Sequence, residues 1–205
     1  MIFAGKTFFH LNDVRCLDRS SLERIMGLYE TSIAKTNHTI RQLNTLAERE
    51  TGGEPEFSRV KQTFGSRFAH MRFFELFFEN IGVSDGSIPE NSMLFKKIKA
   101  DFGSFGNWLD DFRRTAGGRG PGWTVLYYDL MGERFFNARV DSLGVGNLTC
   151  AVPMLVMGLW AESEGIGGKD NKRYIEDFLR TVDWKVVEDR FKAISKLALR
   201  EAVAA

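Results

Sequence analysis

The chain is poor in the residues that build disulfide frameworks and metal sites: its 205 residues include two cysteines, three histidines and four prolines. Two cysteines, Cys16 and Cys150, are too few for a disulfide framework and lack the paired spacing of a zinc site. This favours a reducing compartment. Cys150 lies in an apolar run with no basic neighbour to stabilise a thiolate, so we expect it to fill the core.

The chain also lacks an excess of charge of either sign, since 28 Lys and Arg against 27 Asp and Glu leave a net charge of +1. This balance disfavours an autonomous nucleic-acid-binding module. No run reaches the roughly 18 apolar residues that a membrane helix needs, and residues 1–9 lack the features of a secretory signal. We therefore expect a soluble chain without direct membrane insertion. The 43% hydrophobic content, with 18 Phe, predicts a sizeable core.

The first part of the chain has the pattern of two long helices. Apolar residues from position 20 onwards recur at intervals of three, four or seven, and the spacing of Ser20 and Glu23 predicts a capping box at the helix start. Residues 50–56 (ETGGEPE) interrupt the pattern. A second apolar stripe follows at Val60, Phe64, Phe68, Met71, Phe74 and Phe78. The two helices and their loop predict an α-hairpin.

The second part mixes helices and strands. Residues 123–129 (WTVLYYD) and 134–141 (RFFNARVD) predict an antiparallel strand pair, and a third apolar run follows. Helices are predicted on either side of these strands, over residues 93–102, 104–115, 174–182 and 184–198. The prediction is an α+β fold with an N-terminal helical hairpin domain at 1–88 and a C-terminal domain at 89–205. The latter holds a three-stranded antiparallel sheet with flanking helices.

Isolated motifs give weak functional signals. The run 117–123 (GGRGPGW) precedes a strand rather than opening a helix, so turn glycines are favoured over a phosphate loop. The run 165–170 (GIGGKD) lacks the Ser or Thr and the first Gly of a Walker loop. Of the three histidines, His10, His38 and His70, the last lies mid-helix among phenylalanines. A hydrogen-bonded core histidine is favoured there over a ligand.

The order of four segments carries a stronger signal. These are FGSFGNWLDDF at 102–112, GPGWTVLYYD at 120–129, VPMLVMGLW at 152–160 and YIEDFLRTVDWKVVEDRF at 174–191. Together they resemble the iron/manganese superoxide dismutase family, from about residue 17 to 191. The resemblance implies that family's fold, and its specific part is the C-terminal half.

The resemblance also implies a metal centre, because the family holds one redox metal with three His and one Asp. The family's D-x-W-E-H motif places its Asp on Gly158 and its His on Glu162. The second-helix histidine corresponds to His70. The first-helix histidine corresponds to Thr31 in one register and to Ile25 in another. One of the four ligand positions is thus kept.

The departures extend beyond the ligands. The family's Ala-Ala-Gln-Val element becomes residues 64–67 (FGSR), and its Asn-Gln element becomes roughly Asp141 and Ser142, so the proton-donating glutamine has no counterpart. The Glu of the family's W-E-H motif, which bridges two subunits, becomes Ala161. The resemblance therefore does not imply the family's usual homodimer.

From these substitutions we expect no catalytic metal and no cofactor at the vestigial positions His70, Glu162, Gly158 and Thr31. We expect a catalytically inactive structural subunit of a large assembly, such as the small subunit of the mitochondrial ribosome or an energy-transducing membrane complex. The expected partners are protein subunits, including a related superoxide dismutase-like chain as a heterodimer, with limited RNA contact. The expected location is mitochondrial or otherwise organellar, and cytoplasmic failing that. The alternative is a metal-dependent superoxide dismutase with a remodelled active site.

Overall fold

The computed structural model describes residues 2–14, 17–48, 54–83, 86–142, 144–161, 166 and 171–204. A 3-10 helix, Phe9–Asp13, precedes the regular elements. These are, in chain order, α1 Arg19–Ala47, α2 Glu54–Asn80, α3 Met93–Phe102, α4 Phe105–Ala116, β1 Gly122–Asp129, β2 Arg134–Asp141, β3 Ala151–Leu159, α5 Asn171–Arg180 and α6 Trp184–Ala204. None of the described helices is both long enough and apolar enough to cross a membrane.

The predicted hairpin is formed by α1 and α2, which pack along one another. The start of α1 differs from the predicted capping box. Asp18 is the N-cap, and its Oδ1 accepts a hydrogen bond from the Ser21 backbone N–H at 2.8 Å. The Ser20 hydroxyl donates to the same carboxylate instead of capping the helix. The negative charge of a carboxylate is also stabilised by the positive end of the helix dipole, so Asp18 is a better N-cap than the neighbouring serines.

The sheet is antiparallel with the strand order β2-β1-β3. Its central strand, β1, is buried from Gly122 to Tyr128, since helices or neighbouring strands cover it. Helix α2 packs on β3, and α3 and α4 pack on β2. This confirms the predicted α+β architecture, with helices before and after a three-stranded sheet.

Aromatic side chains fill the junction between the hairpin and the sheet. Trp123 of β1 contacts Phe74 of α2 edge-on at 5.0 Å between ring centroids and Trp160 at 5.7 Å. Phe77 of α2 stacks on Phe178 of α5. Large aromatic side chains of this kind bury much apolar surface, so they fix how α2 lies against the sheet.

Helix side chains occupy both outer edges of the sheet. On β3, Asn80 Nδ2 donates to the Val156 carbonyl at 3.1 Å, and the Arg190 guanidinium donates to the Met154 carbonyl. On β2, the Phe135 N–H donates to Asp101 Oδ2 at 2.8 Å. These bonds replace the partners that a further strand would supply.

The glycine-rich run before β1 is a turn, as the sequence predicts. Gly120 and Gly122 have φ angles of 86° and 150°, a region that favours glycine. The Arg139 side chain donates to the Arg119 and Gly120 carbonyls and holds this turn against β2.

Cys150 does not fill the core. It is exposed in a turn before β3 with φ 57°, so the expectation from its apolar neighbours is wrong. Cys16 and most of residues 165–170 lie outside the described residues.

A buried carboxylate ties α6 to the start of α3. The Glu188 side chain, 10% exposed, accepts hydrogen bonds from the Met93 and Leu94 backbone N–H groups at 3.2 and 2.9 Å and pairs with Lys192 at 3.0 Å. Burial raises the pKa of Glu188, but the Leu94 N–H and Lys192 together lower it below its usual value. A carboxyl with a lowered folded-state pKa stabilises the fold above its unfolded-state pKa and loses that contribution as the pH falls.

Replacing Glu188 with glutamine is expected to lower the free energy of unfolding at pH 7 by about 1–2 kcal/mol, because the charge-assisted hydrogen bonds are weakened. Urea unfolding at pH 7, 5 and 3 measures this. The difference between wild type and variant should shrink as the pH falls below about 4.5, the ordinary Glu value. Glu23→Gln, at an exposed pair with Arg19, is the control and should cost little. An equal difference at all three pH values would contradict the prediction.

Candidate functional site

A cavity of about 230 Å³ lies between α1, α2 and the ends of β1 and β3. It is lined by apolar and aromatic side chains and by a few polar ones, Thr31, Ser32, Lys35, His70 and Ser142. Thr31, Lys35 and Ser142 are exposed, so the cavity is reached from solvent. Two of the predicted site residues, Thr31 and His70, therefore line one space.

The two candidates for the first-helix position have different surroundings. Thr31 lines it, whereas Ile25 is fully buried in the core and does not. The Thr31 hydroxyl donates to the Gly27 carbonyl one turn earlier at 2.9 Å. His38, seven residues further along α1, is exposed and away from the cavity, and His10 bonds to the Phe78 carbonyl at 2.9 Å. His70 is thus the one histidine at this site.

The ring of His70 is fixed by Trp123. The indole Nε1–H donates to His70 Nδ1 at 3.0 Å, and the two rings meet edge-on with centroids 5.3 Å apart. Because an indole N–H is only a donor, Nδ1 must carry the lone pair, and a neutral imidazole then has its proton on Nε2. Burial lowers the pKa of His70 below its usual value, and the positive charge of Lys35 lowers it further. The neutral ring therefore presents an N–H donor at Nε2.

An indole ring covers the position that corresponds to the family's aspartate. A Cβ atom built on Gly158 would lie 2.2 Å from Trp160 Cζ2, well inside van der Waals contact. Trp160 is held there by a hydrogen bond of 3.0 Å from its Nε1–H to the Tyr174 hydroxyl. No side chain other than hydrogen fits at residue 158 unless Trp160 moves. Glu162, the fourth predicted position, lies outside the described residues.

The side chains at these positions cannot coordinate a metal in the way that three histidines and an aspartate do. Thr31 is a neutral hydroxyl, Gly158 has no donor, and the lone pair of His70 is occupied by Trp123. Among the described residues, no three His, Cys, Asp or Glu side chains gather closely enough to hold a metal ion. That the four positions bind no metal stays a prediction, since Glu162 lies outside the described residues.

Sequence reasoning missed Lys35 and Ser32. A signal for them was present in the sequence. The residues of α1 that line the cavity are spaced three, four and seven apart, which is typical of one helix face: Leu28, Thr31, Ser32 and Lys35. Two further segments differ from the family pattern, residues 64–67 and residues 141–142. Ser142 of the second lines the cavity, whereas Arg67 of the first donates a hydrogen bond to the Thr39 hydroxyl. The site is thus a neutral histidine, a lysine and hydroxyl groups among aromatic walls.

Comparison with known proteins shows which family the chain resembles. Residues 90–190 match the family described as iron/manganese superoxide dismutases, C-terminal domain. A manganese superoxide dismutase of Halobacterium salinarum is 30% identical over 150 residues, covering 72% of this chain and 74% of that protein. An iron superoxide dismutase of Methanothermobacter thermautotrophicus is 28% identical over 172 residues, or 81% of this chain and 82% of that protein.

A manganese superoxide dismutase of Haloarcula marismortui shows 34% identity over 122 residues, and the match spans 59% of that protein. These relatives overturn the expectation of a catalytically inactive structural subunit, because each carries the name of an enzyme. The expectation that the chain is a subunit of the mitochondrial ribosome or of a membrane complex depends on that inactivity, and it is wrong for the same reason. The heterodimer, RNA-contact and localisation expectations stay predictions.

Proposed function

Because the chain belongs to the iron/manganese superoxide dismutase family, we propose that it is a superoxide dismutase with a remodelled active site at the His70 cavity. The observation that carries the proposal is the 30% identity to an enzyme of this name over 72% of the chain. The overall reaction converts two superoxide anions and two protons into dioxygen and hydrogen peroxide, so one anion is oxidised and the other reduced.

The position of the cavity supports this assignment. By the resemblance, His70 corresponds to the family's second-helix ligand and Thr31, in one of two registers, to its first-helix ligand, and both residues line this cavity. Lys35 is the one charged group among the described lining residues, and its positive charge attracts an anion. The exposed polar residues at the mouth give superoxide and protons a path from solvent.

The metal of the relatives does not fit Thr31, His70 and Gly158 as they stand. Metal-dependent turnover therefore requires donors other than the family's set, and a metal at His70 Nδ1 would have to displace the Trp123 hydrogen bond. The residues present at this site attract a negative charge through Lys35 and offer an N–H donor on His70 beside aromatic walls.

Direct measurement of superoxide decay by stopped-flow absorbance tests the proposal, with the metal content of the same preparation determined by elemental analysis. The protein, purified without added metal, should accelerate decay beyond the buffer rate. His70→Ala should reduce the acceleration by about tenfold or more, which corresponds to ~1.4 kcal/mol of transition-state stabilisation. His38→Ala is the matched control on an exposed histidine and should leave the rate unchanged. Decay no faster than with heat-denatured protein would refute the assignment.

A further inference from the structure

We propose that the His70 cavity binds a small monovalent anion directly, between the Lys35 ammonium and the Nε2–H of His70, without a metal. The inference deepens the proposed function and rests on it for the natural ligand, since superoxide is itself a small monovalent anion. The binding is a property of the side chains that line the cavity, so it is measurable apart from turnover.

The donor groups are available. Neither His70 Nε2 nor the Lys35 ammonium has a hydrogen-bond or salt-bridge partner among the residues that the structure describes. The Trp123 bond fixes His70 Nδ1 as the acceptor, so the free nitrogen is a donor. Lys35 and His70 both line the cavity, and an ammonium and an imidazole N–H are donors with which an anion forms charge-assisted hydrogen bonds.

The single positive charge among the described lining residues matches a ligand with one negative charge. Lys35 carries a single positive charge, and the lining residues within the described part of the chain include no Asp or Glu. The Ser32 hydroxyl donates to the Tyr29 carbonyl at 2.7 Å, and the Thr31 hydroxyl donates to Gly27, so neither adds a free donor. A monovalent anion balances the lysine, whereas a dianion would leave a charge uncompensated.

The size and walls of the cavity favour a small anion over solvent. The volume of about 230 Å³ holds an ion of a few atoms together with several waters, at roughly 30 Å³ for each water. Phe74, Trp123 and Trp160 form apolar walls, and interactions between charges are stronger beside such walls than in bulk water.

Nitrite is a suitable probe because it is small, monovalent and presents oxygen acceptors. The full chain, treated with a chelator, is titrated with sodium nitrite at constant ionic strength and pH 7 while the tryptophan indole N–H resonances are followed by NMR. The Trp123 indole, bonded to His70, should shift along a saturable one-site curve, whereas Trp108, bonded to Asn137, should not. An unshifted Trp123 signal, or a shift that needs added manganese, would overturn the proposal.

Two variants assign the shift to the site. Lys35→Met should weaken nitrite binding about tenfold, the loss of one charge-assisted contact. Lys99→Met, on the exposed surface of α3, should leave binding unchanged. Equal binding in wild type and Lys35→Met would overturn the assignment. Superoxide decay with the same preparations separates the two proposals. Turnover without nitrite binding refutes the anion site alone, and nitrite binding without turnover refutes the dismutase assignment alone.

Discussion

Replacing Gly158 with alanine is expected to destabilise the fold by about 3 kcal/mol, the upper part of the range for overpacking a well-filled site. The added methyl group would lie 2.2 Å from Trp160 Cζ2 and 2.5 Å from Cη2, so the indole has to move. Movement breaks the Trp160 hydrogen bond to Tyr174 and disturbs the stacking of Trp160 on Phe74. Urea unfolding followed by circular dichroism measures the loss.

A double-mutant cycle identifies the cause. In a Trp160→Ala background the space beside residue 158 is open, so the further change to alanine should cost about 2 kcal/mol less than in the wild type. Gly65→Ala, in α2 with nothing within 4 Å of the added atom, is the control and should be neutral or stabilising. A Gly158→Ala cost that is the same in both backgrounds would show that Trp160 is not the obstacle. An aspartate at this position meets the same barrier.

Replacing Arg190 with methionine is expected to cost ~3 kcal/mol, because it leaves buried acceptors without their partner. The guanidinium, with 15% of the side chain exposed, bonds to Asn80 Oδ1 at 2.9 Å, to Glu79 Oε2 at 2.9 Å and to the Met154 carbonyl. Burial lowers the pKa of Arg190, yet an arginine remains charged at neutral pH, so the pairing is kept. Methionine keeps the apolar stem and removes the donors.

Thermal and urea unfolding at pH 7 test this prediction. Arg180→Met is the matched control, since its side chain is 75% exposed and its contact with Asp177 is 3.8 Å, so the cost should stay below about 0.5 kcal/mol. Asn80→Ala should reproduce part of the Arg190→Met effect, because both changes release a carbonyl of β3. Equal stability of the Arg190 and Arg180 variants would contradict the predicted role.

The parts of the fold that were predicted well depend on local signals. Helix α3 and strand β2 have the predicted bounds because Ser92 caps the helix, with its hydroxyl oxygen accepting from the Phe95 N–H, and because polar turns flank the strand. The missed N-cap has a local cause too, since Asp18, Ser20 and Ser21 lie close together at the start of α1 and the charged Asp18 is the cap. Cys150 was misjudged because apolar neighbours do not reveal a left-handed backbone angle.

The site was predicted only in part, because several elements separated in sequence assemble it. His70 was found from a motif within one helix. The Trp123 bond that orients it joins residues 53 positions apart, and the ring of Trp160 over Gly158 depends on a hydrogen bond to α5. A motif also records which donors a family uses at given positions. It does not record the function of a chain that replaces them, which is why the inference of inactivity failed against the named relatives.

The side chains on the two outer strands have a consequence for assembly. An exposed strand edge offers free N–H and C=O groups on which a strand of another molecule can pair, and such pairing extends one sheet into the next. Asn80 and Arg190 block this on β3, and Asp101 hinders it on β2. Growth of the sheet across molecules is therefore disfavoured on both sides, and a second polypeptide is left to meet this protein through its helices and loops.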